Sequence, residues 1–482
     1  MKPTIQEVTG MTRLSSIILR VALIIAVAIS FVLTYLIMAH NTAFNRPQDV
    51  VNDNANAVQN STVQSLGDVY LPIRVIYHDD VTEKLVYNRK NNLMANLQKR
   101  LAKWNMTTIG VVQKLDMKAY LARLNQKNSI MMIYPDRITW RLFADTFKQP
   151  SKLSETDFAF DRLIATPKGN RLTITFLNDD NQTIRETTMA GNYTDLTSLV
   201  RSADFTAQCK YVALNNTTQL LFTKAFTMNP YSYLVSYTPD NEFVNNLMSG
   251  SETSNIESKS SGGDTQYISG SQKLIVPKNG HLVTYQSYGQ KEVKTMTAKL
   301  ENSFETLKNG GISLRNIRYF GYDDNTDTVS FRNYVEGFPV FQQTDKGAAQ
   351  ITPGDSTGLL EALFANSNLQ VPVPSDQAAV SVIPTEQVID QMVQRGFKRK
   401  RIERIQLGYR WQMDKETDQV VDLLPTYYVR YYGQWQSFGT WLKTDPDTVS
   451  DTSPADQTSA SGESNDADQA SANTNSTAMG VR

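Results

Sequence analysis

The sequence predicts an α+β protein in which a single N-terminal transmembrane helix precedes a multidomain extracytoplasmic region of mixed antiparallel sheets and helices. Three observations predict it. Residues 21–39 read VALIIAVAISFVLTYLIMA without a charge, and at about 1.5 Å per residue such a run nearly crosses a hydrocarbon core about 30 Å thick. Beyond it, period-two alternation broken by polar turns recurs through most of the chain, with a few intervening segments at helical spacing. From 444 onward Ser, Thr, Asp, Ala and Asn prevail and apolar residues are scarce, the composition expected of a disordered acidic tail.

The apolar run is expected to stay as an anchor. Its sequel, AHNTAF, does not fit the small-residue cleavage site of a signal peptide, and the run exceeds the usual h-region of about 7–15 residues. Lys2, Arg13 and Arg20 precede it against Glu7 alone, whereas Arg46 and Asp49 after it cancel. The positive-inside rule then makes residues 1–20 a short cytoplasmic tail and puts everything after His40 outside the cell membrane. Cys209 is the one cysteine, so no disulfide forms within the chain and the external part must hold together by apolar burial. Such an exterior fits a Gram-positive cell. The formal net charge is zero, which gives no electrostatic case for nucleic acid as a partner.

Residues 40–65 read as a spacer. A small α/β domain is expected over 66–152: SLGDVYLPIRVIYH as a strand, a helix over about 90–104 with Leu93, Leu97, Leu101 and Trp104 inward, TTIGVVQ as a strand, a helix from Asp116 to Asn125, the strand SIMMIYPDRI, and TWRLFADTF as a helix or turn. A β-rich central domain follows over 153–290. It contains the hairpin RLTITFLNDDNQTIRETTM, the helix DLTSLVRSA, strands at CKYVALNN and YSYLVSYTPD, a mobile polar loop at 249–263, and strands QYISGSQKLIVPKNG and HLVTYQSYG. The C-terminal α+β domain, 291–443, opens with the helix KTMTAKLENSFETLKNGG, whose paired glycines are a stop signal. RNIRYFGYDDNTDTVSFRNYVEGFPVFQQ then reads as strands turning at DDNT and EG. IPTEQVIDQMVQRG is a helix with Thr385 as candidate cap, an inner stripe of Val388, Ile389, Met392 and Val393, and Gly396 as its end. Strands RIERIQLGYRW and VVDLLPTYYVRYYGQWQSFGTWL complete the domain, and 444–482 is the disordered tail.

Chemistry is scarce in this pattern. The histidines are His40, His78 and His281, one beside the membrane and two in different expected domains, and no zinc-protease, nucleophile-elbow, dinucleotide or P-loop motif occurs. Cys209 sits on a strand, where a small buried apolar role outweighs that of a nucleophile. Asp323, Asn325 and Asp327 imitate the start of a calcium loop, but Thr328 and Tyr334 stand where the loop needs Gly and Glu. RGFKRKRIER at 395–404 reads as a solvated basic face. The expectation is a protein that is not an enzyme and holds no cofactor or metal.

The order of the uncleaved anchor, LPIRVIYH, IMMIYPDRI, QYISGSQKLIV and above all VSFRNYVEGFPVF resembles the YycH family of two-component regulatory proteins, over nearly the whole chain to about residue 443. That resemblance implies a membrane-anchored regulator of an essential cell-wall-controlling sensor histidine kinase, YycG (WalK). It also implies a companion, YycI, whose external fold is related to the C-terminal domain. In such a system the lipid bilayer is a partner too. Within the anchor, Ala22, Ala26, Ser30 and Thr34 recur every four residues. Such a stripe of small side chains lets helix backbones approach closely, so it is the expected partner-binding face toward a transmembrane helix of the kinase or of YycI. The competing expectation is a membrane-held binder or modifier of wall polymer.

Overall fold

The computed structural model describes residues 65–449, apart from 90–91, 216, 249–255, 279–280, 343–345, 376 and 415–416, together with Leu23, Val27 and Ser30. The expected anchor, apart from those last three residues, lies outside the described residues, as do the cytoplasmic tail and the spacer up to residue 64. Among the described residues no helix is long and apolar enough to cross a membrane.

The stretch expected as one strand from Ser65 divides in two. Ser65 Oγ accepts the Asp68 N–H while the Asp68 carboxylate accepts the Ser65 N–H. This capping box starts a short helix, α1 (Leu66–Val69), before β1 (Arg74–His78) and β2 (Glu83–Tyr87). Asn92 and Asp116 accept the N–H groups of Ala95 and Ala119, and these caps set the starts of α2 (Leu93–Leu101) and α3 (Met117–Leu124). Between them TTIGVVQ forms little strand. Only β3 (Gln113–Lys114) joins the sheet, because the N–H of Ile109 turns to the Leu153 carbonyl and that of Gly110 to Glu186, leaving Val111 and Val112 exposed. The chain continues through β4 (Ser129–Thr139), α4 (Trp140–Thr146), β5 (Ala159–Lys168), β6 (Arg171–Asn178), β7 (Thr183–Met189), α5 (Tyr193–Arg201), β8 (Phe205–Leu214) and β9 (Thr217–Phe222).

Among the described residues these nine strands form one antiparallel sheet in the order β3-β7-β6-β5-β4-β1-β2-β8-β9. The border expected at 152/153 therefore falls inside a sheet, where Met131 pairs with Ile164. Strand β4 is apolar without alternation because it is covered on both faces: Ile130, Met132 and Tyr134 enter one core, Met131 and Ile133 the other.

The remaining elements are β10 (Phe226–Met228), β11 (Tyr231–Tyr237), α6 (Asp240–Leu247), β12 (Glu257–Ser261), β13 (Asp264–Ser269), β14 (Gln272–Val276), β15 (Leu282–Ser287), α7 (Met296–Asn309), β16 (Ile317–Asp323), β17 (Thr328–Val335) and β18 (Phe338–Phe341). They are followed by β19 (Ala349–Thr352), β20 (Leu360–Ala365), β21 (Ser367–Val373), β22 (Val380–Val382), α8 (Thr385–Gln394), β23 (Ile402–Met413), β24 (Val420–Tyr431), β25 (Gln434–Ser437) and α9 (Phe438–Trp441). A second sheet runs β12-β13-β14-β15-β20-β19-β17-β18-β23-β24-β11-β21, with β16 on β17 and β25 on β24, while β10 pairs with β22 apart from it. It too crosses an expected border, since β15 and β20 pair across 290/291.

Three local expectations are corrected. Part of the polar loop at 249–263 is the edge strand β12, exposed throughout, whose pairing with β13 needs no apolar burial. Thr385 does not cap α8. Pro384 occupies the cap position, and the Thr385 hydroxyl accepts the Phe222 N–H from the neighbouring sheet. Val393 turns outward, whereas Val388, Ile389 and Met392 are buried as the helical spacing requires.

Two hydrophobic cores result, and each takes residues from the chain both before residue 203 and after residue 216. One gathers Trp140, Phe143, Phe160 and Phe176 with Leu300, Phe304, Phe331 and Phe364; the other gathers Tyr120, Met131 and Ile164 with Val340, Tyr409, Val421 and Trp441.

Candidate functional site

The motif VSFRNYVEGFPVF occupies the junction of the two sheets. It forms β17, a two-residue turn, and β18. Glu336 and Gly337 take φ of +52° and +76°, the left-handed values that a tight hairpin turn requires at both central positions. Tyr334 and Val335 pair with Pro339 and Phe338 across it. On one side β17 pairs antiparallel with β19, and on the other β18 pairs parallel with β23, through Val340 opposite Tyr409. Gly408 permits that approach, because a Cβ there would lie 2.6 Å from the Pro339 carbonyl oxygen. Among the described residues this hairpin is thus the single link on the sheet's path between its β12–β17 half and its β23–β21 half.

The same turn docks on the first sheet. A Cβ on Gly337 would sit 2.7 Å from the carbonyl oxygen of Ile73, just before β1, and 3.8 Å from the Tyr87 ring. Arg74 lies over the Phe338 ring at 5.5 Å. The nearly buried Glu336 carboxylate accepts the Tyr231 hydroxyl and lies 3.3 Å from Arg89 Nε as an ion pair, so one side chain ties the chain just after β2 to β11. Behind the turn the Arg332 guanidinium sits between the rings of Phe320 and Phe341, 4.6 and 4.7 Å from their centroids, and Phe341 stacks on Tyr428 at 3.7 Å. Residues flanking β1 and β2 thus touch a turn whose two strands belong to different halves of the other sheet.

A second polar cluster lies on the first sheet. Arg162 on β5 pairs with Asp161 at 3.1 Å and with Asp179 in the β6–β7 turn, and Asp179 also accepts the hydroxyls of Tyr120 and Thr218. Burial and the Asp179 charge push Asp161 well above the usual carboxylate range, with Arg162 only partly offsetting them. Burial opposes ionisation of Asp179 as well, but Arg162 and the two hydroxyls override it and hold Asp179 low. Alternation around FDRL is broken by two charges inside an apolar strand, and that break is the sequence signal that could have found this cluster. The partners Arg89, Tyr231 and the Ile73 carbonyl carry no such signal.

The residues weighed from sequence fall elsewhere. His78 is buried with Nδ1 2.9 Å from Ser129 Oγ and Nε2 3.9 Å from Glu83, and burial lowers its pKa to about 4 despite the charge of Asp79. Burial pushes the Cys209 thiol up to about 12. Asp327 accepts Lys299 and the Tyr322 hydroxyl, both at 2.6 Å, and so fixes the hairpin turn at DDNT. His281 is exposed, and His40 lies outside the described residues. Among the described residues no group of three or more His, Cys, Asp and Glu side chains is placed to hold a metal ion. Of the stripe, Ser30 is helical and exposed, while Ala22, Ala26 and Thr34 lie outside the described residues.

Two family models match the chain: the YycH protein N-terminal domain over residues 14–203 and the YycH protein C-terminal domain over residues 216–445. The chain belongs to the YycH family. The crystal structure of YycH from Bacillus subtilis has the same fold, with a TM-score of 0.61 at 16% sequence identity, covering 78% of this chain and 97% of that one. No curated protein sequence matches it. YycH membership connects the chain in general terms with regulation of the YycFG two-component system. The motif hairpin lies in the YycH C-terminal domain, and Ile73, Tyr87 and Arg89, on which it docks, lie in the N-terminal one.

Proposed function

We propose that this YycH-family protein is a single-pass membrane-anchored regulator, not an enzyme, whose extracytoplasmic part modulates the sensor histidine kinase YycG (WalK) together with YycI. The observation that carries the reading is the extent of the N-terminal family match: it begins at residue 14 and so takes in the apolar run 21–39 along with the folded region. A signal that crosses the bilayer needs an element that crosses it, and that run is the one of sufficient length. The stripe of Ala22, Ala26, Ser30 and Thr34 supplies the packing face, at roughly 0.6–2 kcal/mol per polar contact between helices. Modest energies suffice, because a coupling of about 1–3 kcal/mol changes the ratio of two kinase states roughly 5- to 150-fold. The docked hairpin supports the reading from outside, since its turn in the C-terminal family domain is in contact with Ile73, Tyr87 and Arg89 of the N-terminal one.

The test is a membrane two-hybrid or crosslinking assay with the full chain, an anchor-swapped chain and an Ala26→Leu/Ser30→Leu chain. Association with YycG or YycI is expected for the first and loss of it for the other two, with kinase output shifted in step. Equal association and equal output across all three overturn the role of the stripe, and turnover of a wall polymer by the external part alone overturns the regulator.

A further inference from the structure

Two features are not absorbed by that function: the basic run at 395–404 and the acidic stretch after 444. In the fold they meet. Arg395, Lys398, Arg399, Lys400 and Arg401 are all exposed along the exit of α8. Arg399 is held by Glu386 at 2.8 Å and Arg401 lies over the Tyr432 ring at 4.8 Å, whereas no carboxylate among the described residues pairs with Arg395, Lys398 or Lys400. Of the acids nearest in the chain, Glu403 is taken by Arg430 at 2.9 Å, and among the described residues Asp390 forms no ion pair with the run. Gly396, at the head of the run, packs on Pro446: a Cβ there would lie 3.4 Å from the proline Cγ. The described chain ends three residues later at Val449, which packs on the second core. The sequence beyond Val449 carries Asp451, Asp456, Glu463, Asp466 and Asp468 against Arg482 alone.

We infer that the acidic segment 451–468 seats in cis on the basic rim formed by Arg395, Lys398, Arg399 and Lys400, and covers it against other anions. Reach permits this, because at about 5–6 Å times the square root of the residue count, Asp456 and Asp468 range about 15 to 25 Å from Val449. The tether keeps the segment at an effective concentration in the millimolar range, which compensates for the weakness of each exposed pair. Being electrostatic and exposed, the seat must loosen with salt as the screening length falls from about 10 Å at 0.1 M toward 3 Å at 1 M.

Carbodiimide, which joins amines to carboxylates in contact, tests it on the full chain in detergent, with peptide mapping by mass spectrometry. Lys443 is the internal control. It is exposed and nearer in sequence to the tail acids than Lys398 or Lys400, so random tail motion favours it. The expected result is that Lys398 and Lys400 link to Asp456–Asp468 more than Lys443 does. Their yield should fall about fivefold between about 0.02 and 0.5 M salt, and likewise in an Arg395→Glu/Arg399→Glu chain whose lysines are intact. Links dominated by Lys443, links indifferent to salt and to the reversals, or links to lysines on another element such as Lys99 and Lys103 overturn the inference. So do links formed between isotopically distinct copies, which would make a second chain the occupant.

Discussion

Replacing Gly337 with alanine tests the docked hairpin most directly. At φ +76° an L residue pays about 1–2 kcal/mol relative to its favoured conformations. The new Cβ would lie 2.7 Å from the Ile73 carbonyl oxygen, and relieving such a contact with backbone costs about 1–3 kcal/mol more. The expected loss is therefore about 2–5 kcal/mol, a large share of the roughly 5–15 kcal/mol that keeps a domain folded. Gly433, in the β24–β25 turn, calibrates the first part, because it has φ +73° and open space where a Cβ would go. Gly433→Ala should lose only about 1–2 kcal/mol. Denaturant midpoints of the full chain and both variants, followed by tryptophan fluorescence, give the comparison. Equal losses at the two glycines would mean that the contact with Ile73 contributes nothing, and the docking of the hairpin on the first sheet would fall with it.

Tyr231→Phe and Glu336→Leu should each destabilise by about 1–3 kcal/mol, since each leaves a polar partner short of a bond, and together by less than their sum because they share one bond; additive losses in unfolding midpoints would contradict the shared contact. His78 has its folded pKa lowered to about 4, so between about pH 6.5 and 4 the unfolded chain binds the extra proton and stability falls as pH falls through that window. His78→Gln should flatten that part of the stability–pH curve, and an unchanged slope would refute the assignment. Cys209, buried and with its thiol pushed up to about 12, should resist iodoacetamide at pH 8 in the native chain and react on unfolding; modification at equal rates in both states would contradict its burial.

Much of the fold was legible in the residues, and the exceptions have physical causes. Helical spacing found α2, α3, α5, α7 and α8, and the NDDN turn found the β6–β7 hairpin, because local periodicity records which face is covered. What covers a face is set by distant partners, and there the reading failed. Ser65 turned the start of an expected strand into a helix through one cap. Thr385 has the chemistry of a cap, yet it stands one residue inside the helix and its hydroxyl serves Phe222 on another sheet. The expected borders at 152/153 and 290/291 fell inside sheets because pairing between β4 and β5, and between β15 and β20, leaves no trace in the composition of the connecting segments. The candidate site was half legible. VSFRNYVEGFPVF stood out as a pattern, and its Glu-Gly turn was read correctly, but its partners Ile73, Tyr87 and Arg89 lie some 250 residues earlier, and Ile73 takes part through a carbonyl that every residue has.

That both cores draw on both halves of the chain constrains how such a protein changes over generations. A half exchanged with that of a distant relative would bring mismatched shapes to two buried surfaces at once, so the halves must drift in concert. Hybrids between relatives should tolerate crossovers poorly anywhere between α5 and β9, and the region available for inventing new contacts narrows to the outer rims.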